Sequence, residues 1–348
     1  SPGVTQGKTV RAFEDAFAEM FGHKHAIACN SGSSANLLAI ASMVALGRLN
    51  RGDEVIVSAL SWSTTVFPLI QYGLIPVFVD CDPQTLNIDT DAVKRAWSSK
   101  TKAVMPVHVY GNPCDMDGLV GLPIIEDCCE SMGAFFADNP IGGFGQAGTF
   151  SFYFSHHITT IEGGMVVTKD DELADMMRIQ CNHGWQREAK NKIHVDGIDD
   201  RFLFVDLGYN LRLNDPMAAM GLIQLYKLKE FVERRRALLA IIKDRLMGSP
   251  IKVQCEVGRG RGRSSAFGAT MLGPPGMRKA LEERGIETRP IIAGNLARHP
   301  AIMKYPHRIA GTLDVADEVL RNGFAAPCHQ GMTDDEAHFI ADSILEVK

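Results

Sequence analysis

The chain reads as an α/β protein with a mostly parallel sheet, followed by a smaller α+β region, on three observations. Short β-rich runs alternate with helical stretches, separated by Gly, Pro and Asp, as in a parallel sheet covered by helices. After about Asn214 the pattern changes to one long helical stretch, "PMAAMGLIQLYKLKEFVERRRALLAIIKDRLM", and then to shorter mixed elements. The apolar content of 45% over 348 residues is enough for a sizeable core in two units, expected at 1–225 and 226–348.

Taken in order, Val10, Phe13, Phe17, Met20 and Phe21 recur at helical spacing and Gly22 follows as a stop. The strand "HAIACN" leads through "SGSSAN" into the helix "ANLLAIASMVAL". Strands "EVIVSA" and "IPVFVD", the helix "TDAVKRAW", and strands "AVMPVHVY" and "PIIED" come next. The segment "SFYFSHHITTIEGGMVV", residues 151 to 167, reads as a strand, a tight loop and a second strand, with two histidines at the turn. Neighbours on an extended backbone point to opposite faces, so one histidine addresses a pocket while the other packs. The later run "GRGRGRSS" is short, lacks interleaved aromatics and reads as a surface turn.

A formal charge of −5 speaks against binding nucleic acid or a membrane surface, and stretches such as "NLLAIASMVALG" are too short to span a bilayer. The opening "SPGVTQGKTV" carries no signal-peptide pattern. Eight cysteines at scattered spacings, with only Cys128 and Cys129 adjacent, indicate neither a disulfide framework nor a metal site. The expectation is a cytoplasmic protein with reduced thiols.

Ligands of open α/β sheets bind beyond the carboxyl ends of the strands. Four strand ends carry chemistry. In "SGSSAN", Gly32 permits a close turn, and Ser31, Ser33 and Ser34 put hydroxyls beside helix N-terminal amides; this suits a phosphate, although ordinary N-capping uses the same residues. Trp62 in "LSWSTT" can cover a planar ligand or pack in the core. Asp127 ends a buried strand, where a carboxylate needs either a protonated ring nitrogen or a structural Arg or Lys. The double histidine offers a proton shuttle or a structural hydrogen bond.

Together these elements, with "PVFVDCDPQTLNID", "EDCCESMGA", "NHGW", "GYNLRLND" and "ETRPIIAGNLARHP", resemble the DegT, DnrJ, EryC1 and StrS sugar aminotransferase superfamily over nearly the whole chain. The resemblance implies a fold type I pyridoxal phosphate protein with a mostly parallel sheet of the seven-stranded type. Most members carry, after "SF", a lysine that binds the coenzyme covalently. Here that position is His156, and "SHHI", "ESMGA" and "HGW" together resemble the subgroup of nucleotide-sugar 3-dehydratases.

The resemblance implies that Ser33 and Ser34 hold the coenzyme phosphate, that Ser151 completes that site, and that Trp62 stacks on the pyridine ring. Asp127 pairs with the ring nitrogen and Glu130 sits close to the ring. Asn210 reaches the phosphate of the neighbouring subunit, which makes a homodimer with shared sites. His183 lies in the sugar pocket near His156, and Arg289 and Asn295 face substrate. The coenzyme, held noncovalently as pyridoxamine phosphate, condenses with a 4-keto-6-deoxyhexose carried on a nucleotide, and His156 near neutral pH serves as base and acid while the C3 hydroxyl leaves. A 3-deoxy-4-keto sugar and ammonia result, and glutamate restores the amine form. His157 falls on the opposite face with a structural role. Cys181, Cys255 and Cys328 stand alone with no CxC or CxxC, which speaks against an iron–sulfur cluster. Two other readings stay open: a sugar aminotransferase without elimination, and a silent coenzyme-binding protein. The nucleotide, GDP, CDP or dTDP, is not fixed by the sequence.

Overall fold

The computed structural model describes residues 4–190, 192–258 and 260–347. The first helix, α1 (Lys8–Phe21), buries Val10, Phe13, Phe17 and Phe21, and Gly22 ends it in the left-handed conformation at φ 67°. Met20, expected in the same apolar stripe, is instead 46% exposed, because it lies off the face that meets the sheet. Rings of Phe13, Phe17, Phe21, Phe150 and Phe152 interlock beneath that face.

The sheet uses strands β1 (His25–Cys29), β2 (Glu54–Ser58), β3 (Ile75–Val79), β4 (Thr101–Met105), β5 (Ile125–Asp127), β6 (Ala147–Ser151) and β7 (Gly164–Thr168). Its order is β3-β2-β4-β5-β6-β7-β1, where β4 and β5 meet through the parallel bridges Val104 to Ile124 and Val107 to Asp127. All neighbours are parallel except β6 with β7 and β7 with β1. One strand comes from far along the chain: Arg308–Ile309 adds to the edge beside β3. Helices α2 (Gly32–Ala45), α3 (Ser63–Gln71), α4 (Thr90–Ala96) and α5 (Asp171–Cys181) fall between the strands.

Two strand expectations shorten. "AVMPVHVY" ends at Met105, since Pro106 has no N–H to continue the ladder and Tyr110 turns into the left-handed region at φ 52°. The double histidine does not sit on a tight strand-to-strand turn. β6 stops at Ser151, and residues 152–163 form a compact loop closed at its neck by Phe152 N–H to Gly163 O (2.9 Å) and Thr160 N–H to Phe152 O (2.9 Å).

Helix α6 (Asp215–Leu246) is continuous over 32 residues, with the Asn214 side chain accepting from Met217 N–H at 3.0 Å. Residue 225, where the two units were expected to part, lies inside it. Leu225, Leu228 and Val232 pack in the core under α1, whereas Leu238, Ile242 and Leu246 pack in a second core with Met271, Phe324 and Ile340. That second core is covered by a small antiparallel sheet of Lys252–Val253, Ala269–Leu272 and Gly323–Ala326. The chain then re-enters the first core through Ile291, Leu296, Ile302 and Leu313. Arg259 of the Gly and Arg run lies outside the described residues. Gly262–Arg263, read as turn, pairs with Phe135–Phe136 as a short ribbon, and Arg263 covers the Phe135 ring at 4.3 Å. Among the described residues, no helix is long and apolar enough to cross a membrane.

Candidate active site

A cavity of about 570 Å³ opens at the carboxyl ends of the parallel strands. Its first wall is the start of α2. Ser31 caps that helix by accepting from Ser34 N–H at 3.1 Å, and it donates to the Ser34 hydroxyl at 3.0 Å. Ser34 is therefore turned into the cap and away from the cavity lining, while Ser33 lines it and donates to Thr64 at 2.9 Å. Only glycine fits at position 32, because a Cβ there would sit 2.5 Å from Cβ of Ser151. This close approach sets the Ser151 hydroxyl beside the helix N-terminus.

Trp62 precedes α3 and lines the cavity with its side chain half exposed. It is not a core residue. Asp127, buried at the end of β5, accepts three neutral hydrogen bonds: from Asn36 (2.9 Å), Thr65 (2.7 Å) and the Cys129 N–H (3.1 Å). Thr149 in turn donates to the Asn36 carbonyl at 2.6 Å, which fixes the amide with its NH₂ toward Asp127. Among the described residues no Arg or Lys pairs with Asp127, so the structural ion pair is absent there. Glu130 accepts from Tyr110 N–H at 3.1 Å. Burial, with the Asp127 charge adding, pushes its carboxyl up to about 8.

His156 lines the cavity and His157 does not. Burial, reinforced by the Arg235 charge, lowers His156 to about 4, so the ring is neutral well below the near-neutral value expected of it. His157 is buried and donates from Nε2 to Ser265 O at 3.0 Å. The two rings diverge because of the loop's turns and not because of strand alternation.

Arg289 reaches the cavity mouth, largely exposed, with Glu287 at 3.1 Å. Asn295 does not face the cavity. It is fully buried, its amide donates to Asp317 at 2.6 Å and its carbonyl accepts from Ala297 N–H at 3.2 Å, so both ends are occupied by local structure. His183 and Asn210 are also outside this chain's cavity lining. They sit on paired segments joined by the Asn182 to Asn210 bridge; the His183 ring packs on Trp185 at 4.9 Å, and Asn210 is exposed, accepting from Arg212 at 2.9 Å.

Asn36, Thr65, Tyr110, Tyr153 and Phe267 also line or brace the site, and none of them is among the residues expected there from the sequence. Asn36 had a signal, as the polar residue in the apolar run "ANLLAIA". Beneath Asp127, His108, Glu126 and Cys128 gather within 4.8 Å of one another. Two of the three are already engaged: Glu126 accepts from the N–H groups of Gly142, Phe144 and Gly145, and His108 Nδ1 accepts from Cys114 N–H at 2.9 Å. The trio braces the strand that carries Asp127.

A helix start with hydroxyls, an indole face and a buried carboxylate waiting on a positive partner fit a flat ring with a phosphate arm. The comparisons agree with that geometry. The model of the DegT/DnrJ/EryC1/StrS aminotransferase family matches residues 1–345. The chain is 42% identical over 349 residues to GDP-4-keto-6-deoxy-D-mannose 3-dehydratase of Yersinia pseudotuberculosis, covering 94% of this chain and 88% of that one. It is 36% identical to dTDP-4-dehydro-2,6-dideoxy-D-glucose 3-dehydratase of Saccharopolyspora spinosa, covering 99% and 81%. Among solved structures, that of E. coli GDP-4-keto-6-deoxy-D-mannose-3-dehydratase with bound hydrated PLP superposes with a TM-score of 0.93 at 37% identity, covering 98% and 92%.

Proposed function

The chain belongs to the DegT/DnrJ/EryC1/StrS aminotransferase family, and we propose that it removes the C3 hydroxyl from a 4-keto-6-deoxyhexose carried on a nucleotide. It is a PLP-dependent 3-dehydratase of the aminotransferase fold, a lyase of deoxysugar biosynthesis. The observation that carries the reading is His156 in the cavity wall, with no lysine among the described residues that line the cavity.

Ser33, Ser151 and the N-terminus of α2 hold the coenzyme phosphate, Trp62 covers the ring and Asp127 holds its nitrogen protonated. When bound, the coenzyme supplies the amine that engages the C4 ketone and a ring that accepts electrons. His156, unprotonated at the outset, would take up the proton lost from the coenzyme's C4′ carbon and pass it to the departing C3 oxygen, which leaves as water. Burial makes its imidazolium a stronger acid than a free one, which favours the second transfer and leaves the ring a weaker base in the first. Glu130 remains a carboxylic acid at neutral pH and adds no negative charge beside Asp127. Arg289 at the mouth meets the anionic nucleotide. L-glutamate restores the amine form, ammonia and a 3-deoxy-4-keto sugar are released, and the chain works in the cytoplasm, where its eight free cysteines stay reduced.

The active unit is a homodimer in which Asn210, with His183 beside it, serves the partner's cavity. Support comes from the exposure of Asn210 and of the large apolar side chains Phe202, Phe204 and Leu207 on the same stretch.

Incubation with GDP-, CDP- and dTDP-linked 4-keto-6-deoxyhexoses plus glutamate tests the reading. Ammonia and a 3-deoxy sugar are expected; an amino sugar would overturn it. Borohydride fixes no coenzyme to the chain, and a coenzyme–lysine adduct by mass spectrometry contradicts the assignment. For the dimer, His156→Asn and Asn210→Ala proteins are mixed under subunit exchange. One site of each heterodimer is then intact, so activity above either parent is expected, and no recovery after proven exchange refutes the shared site.

A further inference from the structure

Among the described residues the His156 ring has no hydrogen bond to orient it: Nδ1 is buried and unpaired. A histidine that moves protons ordinarily has its second nitrogen tied to a carboxylate or carbonyl, which fixes tautomer and ring direction. Here the ring meets two aromatic edges instead, Phe267 at 5.2 Å and 75° and Tyr153 at 6.0 Å and 89°. Tyr153 belongs to the same loop as His156. Phe267 arrives from the C-terminal part of the chain and is therefore an independent constraint.

Its backbone is pinned from several sides. Residues 264–267 cross the back of the histidine pair as a strap. His157 donates to Ser265 O at 3.0 Å, Arg235 donates to Phe267 O at 3.0 Å, and Arg236 donates to Ser264 O. The strap's own N–H groups of Ser265 and Phe267 go to Gly111 O (2.9 Å) and Tyr110 O (3.2 Å). Gly111 permits this approach, since a Cβ there would lie 2.6 Å from the Ser265 hydroxyl. Ala266 sits at φ 53°, a conformation a residue with a Cβ keeps only when its surroundings over-determine it.

Arg235 is the less expected part of the clamp. It is 3% exposed on α6, and its partners are Gln330 (2.9 Å), Cys328 O (2.9 Å) and Phe267 O, with no carboxylate pairing among the described residues. A buried cation without a counter-charge is expensive. Here it ties the strap to α6 and faces the histidine pair, where its charge disfavours imidazolium.

We propose that Phe267 is the positioning residue of His156, held in place by His157 and Arg235, so that the second histidine serves the reaction through the strap and not by proton transfer. The inference rests on His156 as the proton-transferring group. It gives the adjacent histidines distinct tasks: one moves the proton, and the other anchors the ring that aims it.

The test compares Phe267→Met, which fills similar space without a ring, with Phe267→Tyr, which keeps the ring edge. Phe267→Met is expected to lower kcat by about tenfold to a hundredfold, the loss a slightly misaimed group produces, with KM and coenzyme absorbance unchanged. Phe267→Tyr retains most of kcat. Equal kcat for Phe267→Met and the parent, equal losses for both variants, or a loss that follows coenzyme release overturns the proposal. If Phe267→Met fails to fold, His157→Ala and His157→Gln decide, because Gln can donate to Ser265 O. Recovery of kcat by Gln over Ala supports the strap, and two indistinguishable variants refute it. His156→Asn is measured in parallel: if it stays active the assignment of the base falls, whereas an inactive His156→Asn beside an unaffected Phe267→Met removes this inference alone.

Discussion

On the floor of the cavity Asp127 accepts three hydrogen bonds and Glu126 behind it accepts three backbone N–H groups, whereas on the wall the His156 ring has no hydrogen bond among the described residues. Asp127 and His156 both line the same cavity, yet they are held by opposite means. The floor surrounds its buried carboxylate with fixed donors aimed at its oxygens. Aromatic edges and a nearby cation stabilise no charge on imidazole, so the wall keeps a neutral ring that takes a proton and readily gives it up. A site that must pair a permanent charge and carry a transient one needs both kinds of surroundings.

The most severe way to break the contrast is to remove the wall's proton carrier. His156→Asn should cut dehydration by about a hundredfold to ten-thousandfold while coenzyme binding, measured by absorbance after gel filtration, persists. His156→Lys should restore a covalent link detectable by borohydride and abolish dehydration. If His157→Asn is the more damaging change, the assignments of the pair are reversed. Asp127→Asn strikes the floor instead. It keeps the shape, removes the charge and should weaken coenzyme affinity by about 1.5–3 kcal/mol, read by titration, with kcat falling in step.

Glu130 stands between the two regions, and its raised carboxyl gives a pH test. The unfolded chain ionises near 4.5 and the folded one near 8, so the folded state binds the extra proton and stability falls as pH rises across that window. Glu130→Gln should therefore raise the melting temperature of the coenzyme-free protein at pH 8 and leave it unchanged at pH 4. The gain is about 1–2 kcal/mol, below the full shift because cavity water reaches the carboxyl. Thr65→Val is the smallest change: one donor to Asp127 is lost, which should cost about 1 kcal/mol in coenzyme affinity and sharpen the view that the floor works by several shared donors.

The floor was more legible in the sequence than the wall. Asp127, Trp62 and Ser33 sit at strand or helix ends, and the sheet topology alone brings such ends together. The apolar face of α1 and its glycine stop, the strand-to-helix alternation and the long helix after about Asn214 followed from periodicity and from the Gly, Pro and Asp punctuation. Phe267 and Arg235 were not legible, because they meet His156 only through chain that returns from the C-terminal part, and neither residue belongs to a local pattern. Asn295 was placed by resemblance, but its neighbours Asp317 and Ala297 claim both ends of the amide. The loop of residues 152–163 looked like a tight turn because its closure depends on side-chain and neck hydrogen bonds that strand propensity does not register.

Helix α6 has a bearing on how the molecule can be handled and how it can move. Because one uninterrupted rod enters both apolar cores, no slack tether separates the two halves, and a protease given the folded protein has no exposed connecting strip near residue 225 to cut. A fragment ending there would lose the turns bearing Leu228 and Val232 from the core under α1. Expressed as separate pieces, the halves should find each other poorly. Arg235 rides on that rod and holds Phe267 O, so the seat of the ring that meets His156 is tied to α6.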